Sequence, residues 1–232
     1  MKPQTKQTVK KAFLATIPVL TGYLVLGMVF GVILKAKGYG VLWALGMSVF
    51  IYAGSMQYVA IDLITGGASL LTAALTTLAV NARHLFYGIS MVDRYRNVKK
   101  KGFLIFTLTD ETYSLVCRDE PAEAGDGQGR FYFLVSLFDY LYWIVGSVMG
   151  SLLGAVIPFS TEGIDFALTA LFVTVFVEQW LSTRDHVPAI LGVAASILCL
   201  LIFGSDRFLI PAMLLIAAGL MATANKEGIS HE

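Results

Sequence analysis

The sequence predicts an all-α integral membrane protein, and three observations carry that prediction. Of its 232 residues, 56% are hydrophobic and only 14% are charged. The mean hydropathy is +0.72. The charged residues also gather into clusters, Lys2 to Lys11, Arg94 to Lys101, Arg118 to Arg130 and Lys226 to Glu232, which separate long apolar stretches. Soluble domains carry about 25% charged residues, so this chain has too few to face water throughout. The clusters are expected to be the aqueous loops.

A helix rises about 1.5 Å per residue and the hydrocarbon core is about 30 Å thick, so a crossing takes about 20 apolar residues. Eight segments come near that length: 12–34, 41–64, 69–91, 102–117, 131–157, 165–181, 187–204 and 208–222. The first follows a basic stretch, is longer than the apolar core of a signal peptide and has no small-residue cleavage site. It is read as a retained span. Several others are short or hold internal Gly and polar residues, so about six to eight hydrophobic segments are expected, some of them broken or re-entrant. All of 1–232 is expected to form a single transmembrane domain.

Orientation follows from charge, because short loops rich in Lys and Arg stay cytoplasmic. Lys2, Lys6, Lys10 and Lys11 place the amino terminus inside. The loop with Arg94, Arg96, Lys99, Lys100 and Lys101 belongs inside too, yet three plain crossings separate the two clusters. One of those three segments is therefore expected to turn back. The acidic loop with Asp119, Glu120, Glu123 and Asp126 would then fall outside.

A repeat supports the same layout. Tyr23 to Leu34 aligns without gaps on Tyr142 to Leu153, matching Gly27 with Gly146 and Gly31 with Gly150. Small residues at this spacing let helix backbones approach closely in lipid. Gln57-Tyr58 has a counterpart in Gln179-Trp180. The repeat halves would be 12–91 and 131–204, joined by 102–117 and followed by 208–222. The charge argument makes the copies inverted, as in many secondary transporters with midplane sites on broken helices.

Polar groups inside apolar segments mark the candidate site. Asn81, Arg83 and His84 sit near the middle of the third segment, where a charge costs about 2.5–3.5 kcal/mol and calls for a cavity or a partner. Arg83 is about 12 Å of helix from the segment's end, a long reach for snorkelling. Asp110 and Glu111 are adjacent in the fourth segment and point about 100° apart on a helix, so one is expected to pair with Arg83 while the other exchanges a proton. Tyr52, Gly54, Ser55 and Gln57 have the composition of an unwound stretch, whose free backbone groups suit the polar ends of an amino acid. Glu178 in the sixth segment and Asp139 in the fifth are weaker signals of the same kind.

Other classes fit less well. A formal charge of +1 gives no basic face for nucleic acid. No GxxxxGK[ST], HExxH or GxSxG motif occurs, and Cys117 and Cys199 have no metal-ligand spacing, so no enzyme, cofactor or metal is expected. An ion-coupled secondary transporter remains, with protons the simplest coupling ion because Asp110, Glu111 and His84 titrate. In that scheme Gly54 to Gln57 and Asn81 hold the substrate, and protonation weakens the pair between Arg83 and a carboxylate. The alternative is a non-transporting or channel-like subunit of a larger complex.

The motifs YAGSMQY at 52–58, NARHLFYG at 81–88, TDETYSL at 109–115 and GIDFALTALFV at 163–173 resemble those of the AzlC family of branched-chain amino acid permeases. The resemblance runs over about residues 12–222. It implies export of branched-chain or related apolar amino acids across the bacterial cytoplasmic membrane, with a small AzlD-type membrane subunit as partner. The segment Gly125 to Gly129 is expected to be a solvent-exposed connection.

Overall fold

The computed structural model describes residues 3–96, 98–117 and 126–156 and, beyond these, 173, 176, 177, 180, 181, 183, 185–204, 208, 211, 212, 214–216 and 218–221. Among the described residues every regular element is an α-helix. In order they are α1 (Pro3–Ala36), α2 (Val41–Phe50), α3 (Gly54–Thr65), α4 (Leu70–Ser90), α5 (Val92–Tyr95), α6 (Lys101–Phe106), α7 (Asp110–Val116), α8 (Asp126–Val156) and α9 (Val187–Phe203). The chain divides into two compact units, residues 1–161 and 162–232.

Two helices, Lys6–Ala36 and Gly127–Val156, are long and apolar enough to cross a membrane. Alongside an apolar core, polar side chains are buried and large apolar ones exposed. Thr16, Ser48, Gln57, Thr107, Thr112, Ser136 and Asp139 are fully buried, while Leu42, Phe50, Leu70 and Val156 are exposed. Apolar surface of this kind needs no cover in lipid, whereas each polar group does.

The long helices α1 and α8 form the spine of the first unit. Gly27 and Gly31 meet Gly146, Ser147 and Gly150, and a Cβ on Gly27 would stand 2.9 Å from the Ser147 backbone nitrogen. Contacts climb both helices in the same order. Phe13 packs on Phe138, Thr16 bonds Tyr142, Tyr23 packs on Trp143, and Gly154 faces Lys35. The two helices are therefore parallel, which corrects the expected inversion of these aligned segments.

Two hairpins enter this unit from opposite ends. A short link from the end of α1 starts α2, which descends until the Val49 carbonyl accepts from the Tyr140 hydroxyl at 2.9 Å. The chain turns at 51–53, with Tyr52 at a left-handed φ of 43°. It then climbs as α3, whose Tyr58 donates to the Leu26 carbonyl at 2.6 Å. Gln57 Nε2 bonds Ser48 Oγ at 3.2 Å across the turn. Nine residues of straight helix would separate these positions by about 13 Å, more than the side chains span. The second segment is thus the one that turns back.

From there α4 runs to the opposite end, where Met91 and Tyr95 share a core with Ala12 and Tyr132. The basic loop lies beside the start of α8, with Lys100 Nζ 4.2 Å from the Phe133 ring centroid. It shares the end at which α1 begins, as the charge argument expects. A second hairpin, α6 and α7, enters at that same end. Phe103 meets Phe133, Phe106 meets Tyr140, Thr112 meets Asp139, and Val116 is back in the core with Tyr132.

The fourth segment, expected to cross, therefore also returns. The chain enters and leaves the acidic loop at the end where α1 begins, not at the opposite one, and α8 must run parallel to α1. Two smaller expectations change as well. Lys6, Lys10 and Lys11 ride on the first turns of α1 rather than in a loop. Asp126 to Gly129 form the first turn of α8, where a Cβ on Gly129 would stand 3.0 Å from Val98, so this is not an open connection.

In the second unit, α9 is started by the Asp185 side chain, which accepts from the Val187 N–H at 3.0 Å. Pro188 occupies its first turn and Gly204, at φ 73°, ends it. The Trp180 ring stacks on His186 with centroids 4.1 Å apart. Cys199 is buried, and both Cys117 and Cys199 are free thiols.

Candidate functional site

The tips of the two hairpins, 51–53 and 107–109, come together inside the first unit. Non-helical backbone is tolerated at membrane depth only where protein or a polar cavity surrounds it. The sequence supplies that surround. Thr109 caps α7, its hydroxyl accepting from the Thr112 N–H at 3.2 Å. Gly54 opens α3 with a bare Cα, and a Cβ there would touch Trp143 Cη2 at 3.1 Å.

Arg83 reaches both hairpins from α4. Its Nη1 pairs with Asp110 Oδ2 at 3.0 Å, and its Nη2 donates to Ser55 Oγ at 2.9 Å. The two side chains of the ion pair retain 36% and 28% exposure, so the pair is half-buried rather than sealed in the core. Nε of Arg83 is buried without a hydrogen-bond partner among the described residues. One turn on, Tyr87 stacks on Tyr113 of α7 at 4.9 Å and forms an aromatic wall beside the pair.

Glu111, next to Asp110, faces elsewhere. It accepts from the Tyr23 hydroxyl of α1 at 2.8 Å, and that hydroxyl also lies 2.7 Å from Thr109 Oγ1. Thr109 Oγ1 donates to Thr112 Oγ1 at 3.2 Å, which donates to Asp139 Oδ2 at 2.8 Å. A cluster of hydroxyls and carboxylates thus brings α1, α7 and α8 together. Asp139 is fully buried.

The remaining expected residues are placed less uniformly. Tyr52 is buried, with its ring on Tyr140 at 4.9 Å. Gln57 is fully buried and both ends of its amide are engaged, with Nε2 on Ser48 and Oε1 accepting from the Trp143 indole at 2.8 Å. That amide locks the first hairpin to α8 and does not face an opening. Asn81 takes part through its backbone carbonyl, 3.2 Å from His84 Nδ1, and the His84 ring meets Tyr87 edge-on. Glu178 and Gln179 lie outside the described residues. Among the described residues no group of three or more His, Cys, Asp or Glu side chains could hold a metal ion.

Tyr23 and Trp143 also meet this site and carry no polar signal of their own in the sequence, whereas Thr109 and Thr112 belong to the TDETYSL run. Asp139 stands out as a lone carboxylate in an apolar segment, but its partners become visible only once the second hairpin folds back beside α8.

The family model described as AzlC protein matches residues 18–157. The chain belongs to the AzlC family. It is similar to the branched-chain amino acid transport protein AzlC of Bacillus subtilis (strain 168), 43% identical over 209 residues that cover 89% of this chain and 82% of that one. An uncharacterized membrane protein of Helicobacter pylori (strain ATCC 700392 / 26695) is 44% identical over 91% of this chain and 93% of its own length. The inner membrane protein YgaZ of Escherichia coli (strain K12) is 28% identical over 68% of each chain. No solved structure matches the chain. The AzlC family match covers α2 to α8 and all but the amino-terminal part of α1, and so every residue of the site just described.

Proposed function

We propose that this chain is a secondary transporter that exports branched-chain or related apolar amino acids, driven by an ion gradient. The observation that carries the reading is Arg83, held half-buried between Asp110 of one hairpin and Ser55 of the other. A zwitterionic amino acid offers one charge to each member of that pair. Its carboxylate takes the guanidinium, which still has the Nε–H to give, and the first turn of α3, where helix geometry leaves N–H groups unpartnered. Its ammonium takes Asp110.

Substrate therefore replaces the internal pair, and the two hairpin tips become linked through it instead of through Arg83. The aliphatic side chain has the Tyr87–Tyr113 wall to lie against. A branched-chain substrate is supported by the name of the Bacillus relative, and the branched-chain class, the export direction and a small AzlD-type partner subunit by the family resemblance. The basic amino-terminal end favours a cytoplasmic amino terminus in a bacterial inner membrane.

The reading is tested by counterflow of radiolabelled leucine and valine in liposomes holding the full chain, with and without the small subunit. Saturable exchange is expected in wild type, and a loss of about 100-fold for Arg83→Ala, the scale seen when a substrate-orienting contact is removed. Full exchange by Arg83→Ala overturns the site assignment. Passive, non-saturable flux overturns the transporter.

A further inference from the structure

Asp139 and Tyr52 present a pattern that the ion pair does not account for. Asp139 is fully buried, with Oδ2 held by Thr112 and Oδ1 without a hydrogen-bond partner among the described residues. Tyr52 is 4% exposed and its hydroxyl is likewise unpartnered. The two meet at the same part of α8, because the Tyr52 ring packs on Tyr140, the chain neighbour of Asp139, at 4.9 Å; Asp139 and Glu111 act on the Tyr52 hydroxyl by their charge, and the Tyr23 hydroxyl lies close to it. Buried polar atoms are almost always satisfied, and each exception calls for a cause.

The backbone adds a second sign. Tyr52 holds a left-handed φ of 43°, uncommon for a bulky residue, and this conformation directs its ring onto Tyr140 and toward α8. Such outliers persist where the surrounding structure over-determines them, often at functional positions.

We propose that Asp139 Oδ1 is the binding site for the coupling proton, with the Tyr52 hydroxyl at the tip of the first hairpin as the acceptor of the new O–H. The proposal rests on the transporter reading above and names the group that does the coupling. The proton bonds to Oδ1, and the new O–H donates to the Tyr52 hydroxyl oxygen, directly or through one water. On release, the carboxylate keeps Thr112 as its donor and the proton leaves to solvent.

A proton fits better than sodium. It needs one acceptor, which the unpartnered Oδ1 supplies, whereas a metal cation seeks several oxygen ligands at once. The groups acting on Asp139 are Glu111 and Thr112 of α7, Tyr23 of α1 and Tyr52 of the first tip. Asp110 is committed to Arg83, so substrate exchange and proton loading use different carboxylates. They communicate through α7, which carries Asp110 and Thr112 two residues apart.

The test uses the full chain with its small subunit in liposomes. Leucine counterflow at equal pH on both sides reports exchange, and leucine accumulation under an imposed pH gradient reports coupling. For Asp139→Asn the ratio of accumulation to counterflow is expected to fall by about tenfold or more, an effect of about 1.4 kcal/mol. Tyr52→Phe is expected to move the pH of half-maximal accumulation by about one unit through loss of one hydrogen bond. An unchanged ratio in Asp139→Asn, or accumulation that follows a sodium gradient instead, overturns the proposal.

Should Asp139→Asn abolish both activities, infrared difference spectra of the purified full chain between acid and alkaline pH decide. Loss of a protonated-carboxyl band in Asp139→Asn supports the site, and an unaltered spectrum refutes it. Wild-type protein that shows no leucine counterflow refutes the transporter reading itself, and the infrared result then stands or falls alone.

Discussion

The phenol of Tyr23 donates to Glu111 Oε2 at 2.8 Å, tying the interior of α1 to the second residue of α7. The same oxygen meets Thr109, the residue that caps α7. One hydroxyl therefore fixes both the start of that helix and one of its two adjacent carboxylates. This leaves Asp110, on the neighbouring face, to meet Arg83.

Tyr23→Phe keeps the ring packing on Trp143 and removes the hydroxyl alone. Glu111 loses a donor inside the protein, so stability should fall by about 1–3 kcal/mol. Thermal unfolding in detergent should show an earlier midpoint. A midpoint equal to wild type would mean that this tie does not hold the second hairpin in place.

Packing of the two long helices gives a sharper contrast. A side chain at Gly27 drives into the Ser147 backbone, 2.9 Å from where a Cβ would sit, whereas Gly22 has nothing within 4 Å. Backbone atoms cannot step aside as a flexible side-chain end can. Gly27→Leu should abolish the monodisperse peak in size-exclusion chromatography while Gly22→Leu keeps it. Equal behaviour of the two variants would remove the close α1–α8 approach from the account.

Much of this was legible in the sequence. The spacing of Gly27, Gly31, Gly146 and Gly150 marked faces suited to close helix approach, and the small and polar run from Tyr52 to Gln57 marked the break in the second segment. The fourth segment was harder. At 102–117 it is already short for a crossing, yet its return depends on Asp139 and Tyr132 of α8 receiving Thr112 and packing near Val116, contacts between distant parts of the chain. Counting it as a crossing inverted α8 and moved the acidic loop to the wrong end. Gln57 was legible as a polar group in an apolar segment, but not its partners Ser48 and the Trp143 indole, which only the fold supplies.

That amide makes its own prediction. Trp143→Phe retains most of the ring against Gly54 but strips the donor from Gln57 Oε1, which is fully buried. An unsatisfied buried polar group costs about 1–3 kcal/mol, and Gln57→Leu leaves two of them, the Trp143 indole N–H and the Ser48 hydroxyl, without their partner. Gln57→Leu should therefore be the less stable of the two single variants when thermal midpoints are compared. The reverse order would indicate that the indole holds the first hairpin more through its ring packing than through the amide.

The fork of Arg83 sets the last expectation. Its two terminal nitrogens serve different hairpins, Nη1 on Asp110 at 3.0 Å and Nη2 on Ser55 at 2.9 Å. Lysine preserves the charge but offers one ammonium in place of a planar fork. It can meet Asp110 or the first turn of α3, and not both in the same geometry. Arg83→Lys should thus lower leucine counterflow by about tenfold, between wild type and the roughly 100-fold loss expected for alanine. The exchange Arg83→Asp with Asp110→Arg restores the pair and leaves Ser55 without its donor, so it should recover stability before it recovers transport. If Arg83→Lys exchanges leucine at the wild-type rate, charge alone suffices at this position and the bridging of the two hairpin tips is not what binds substrate.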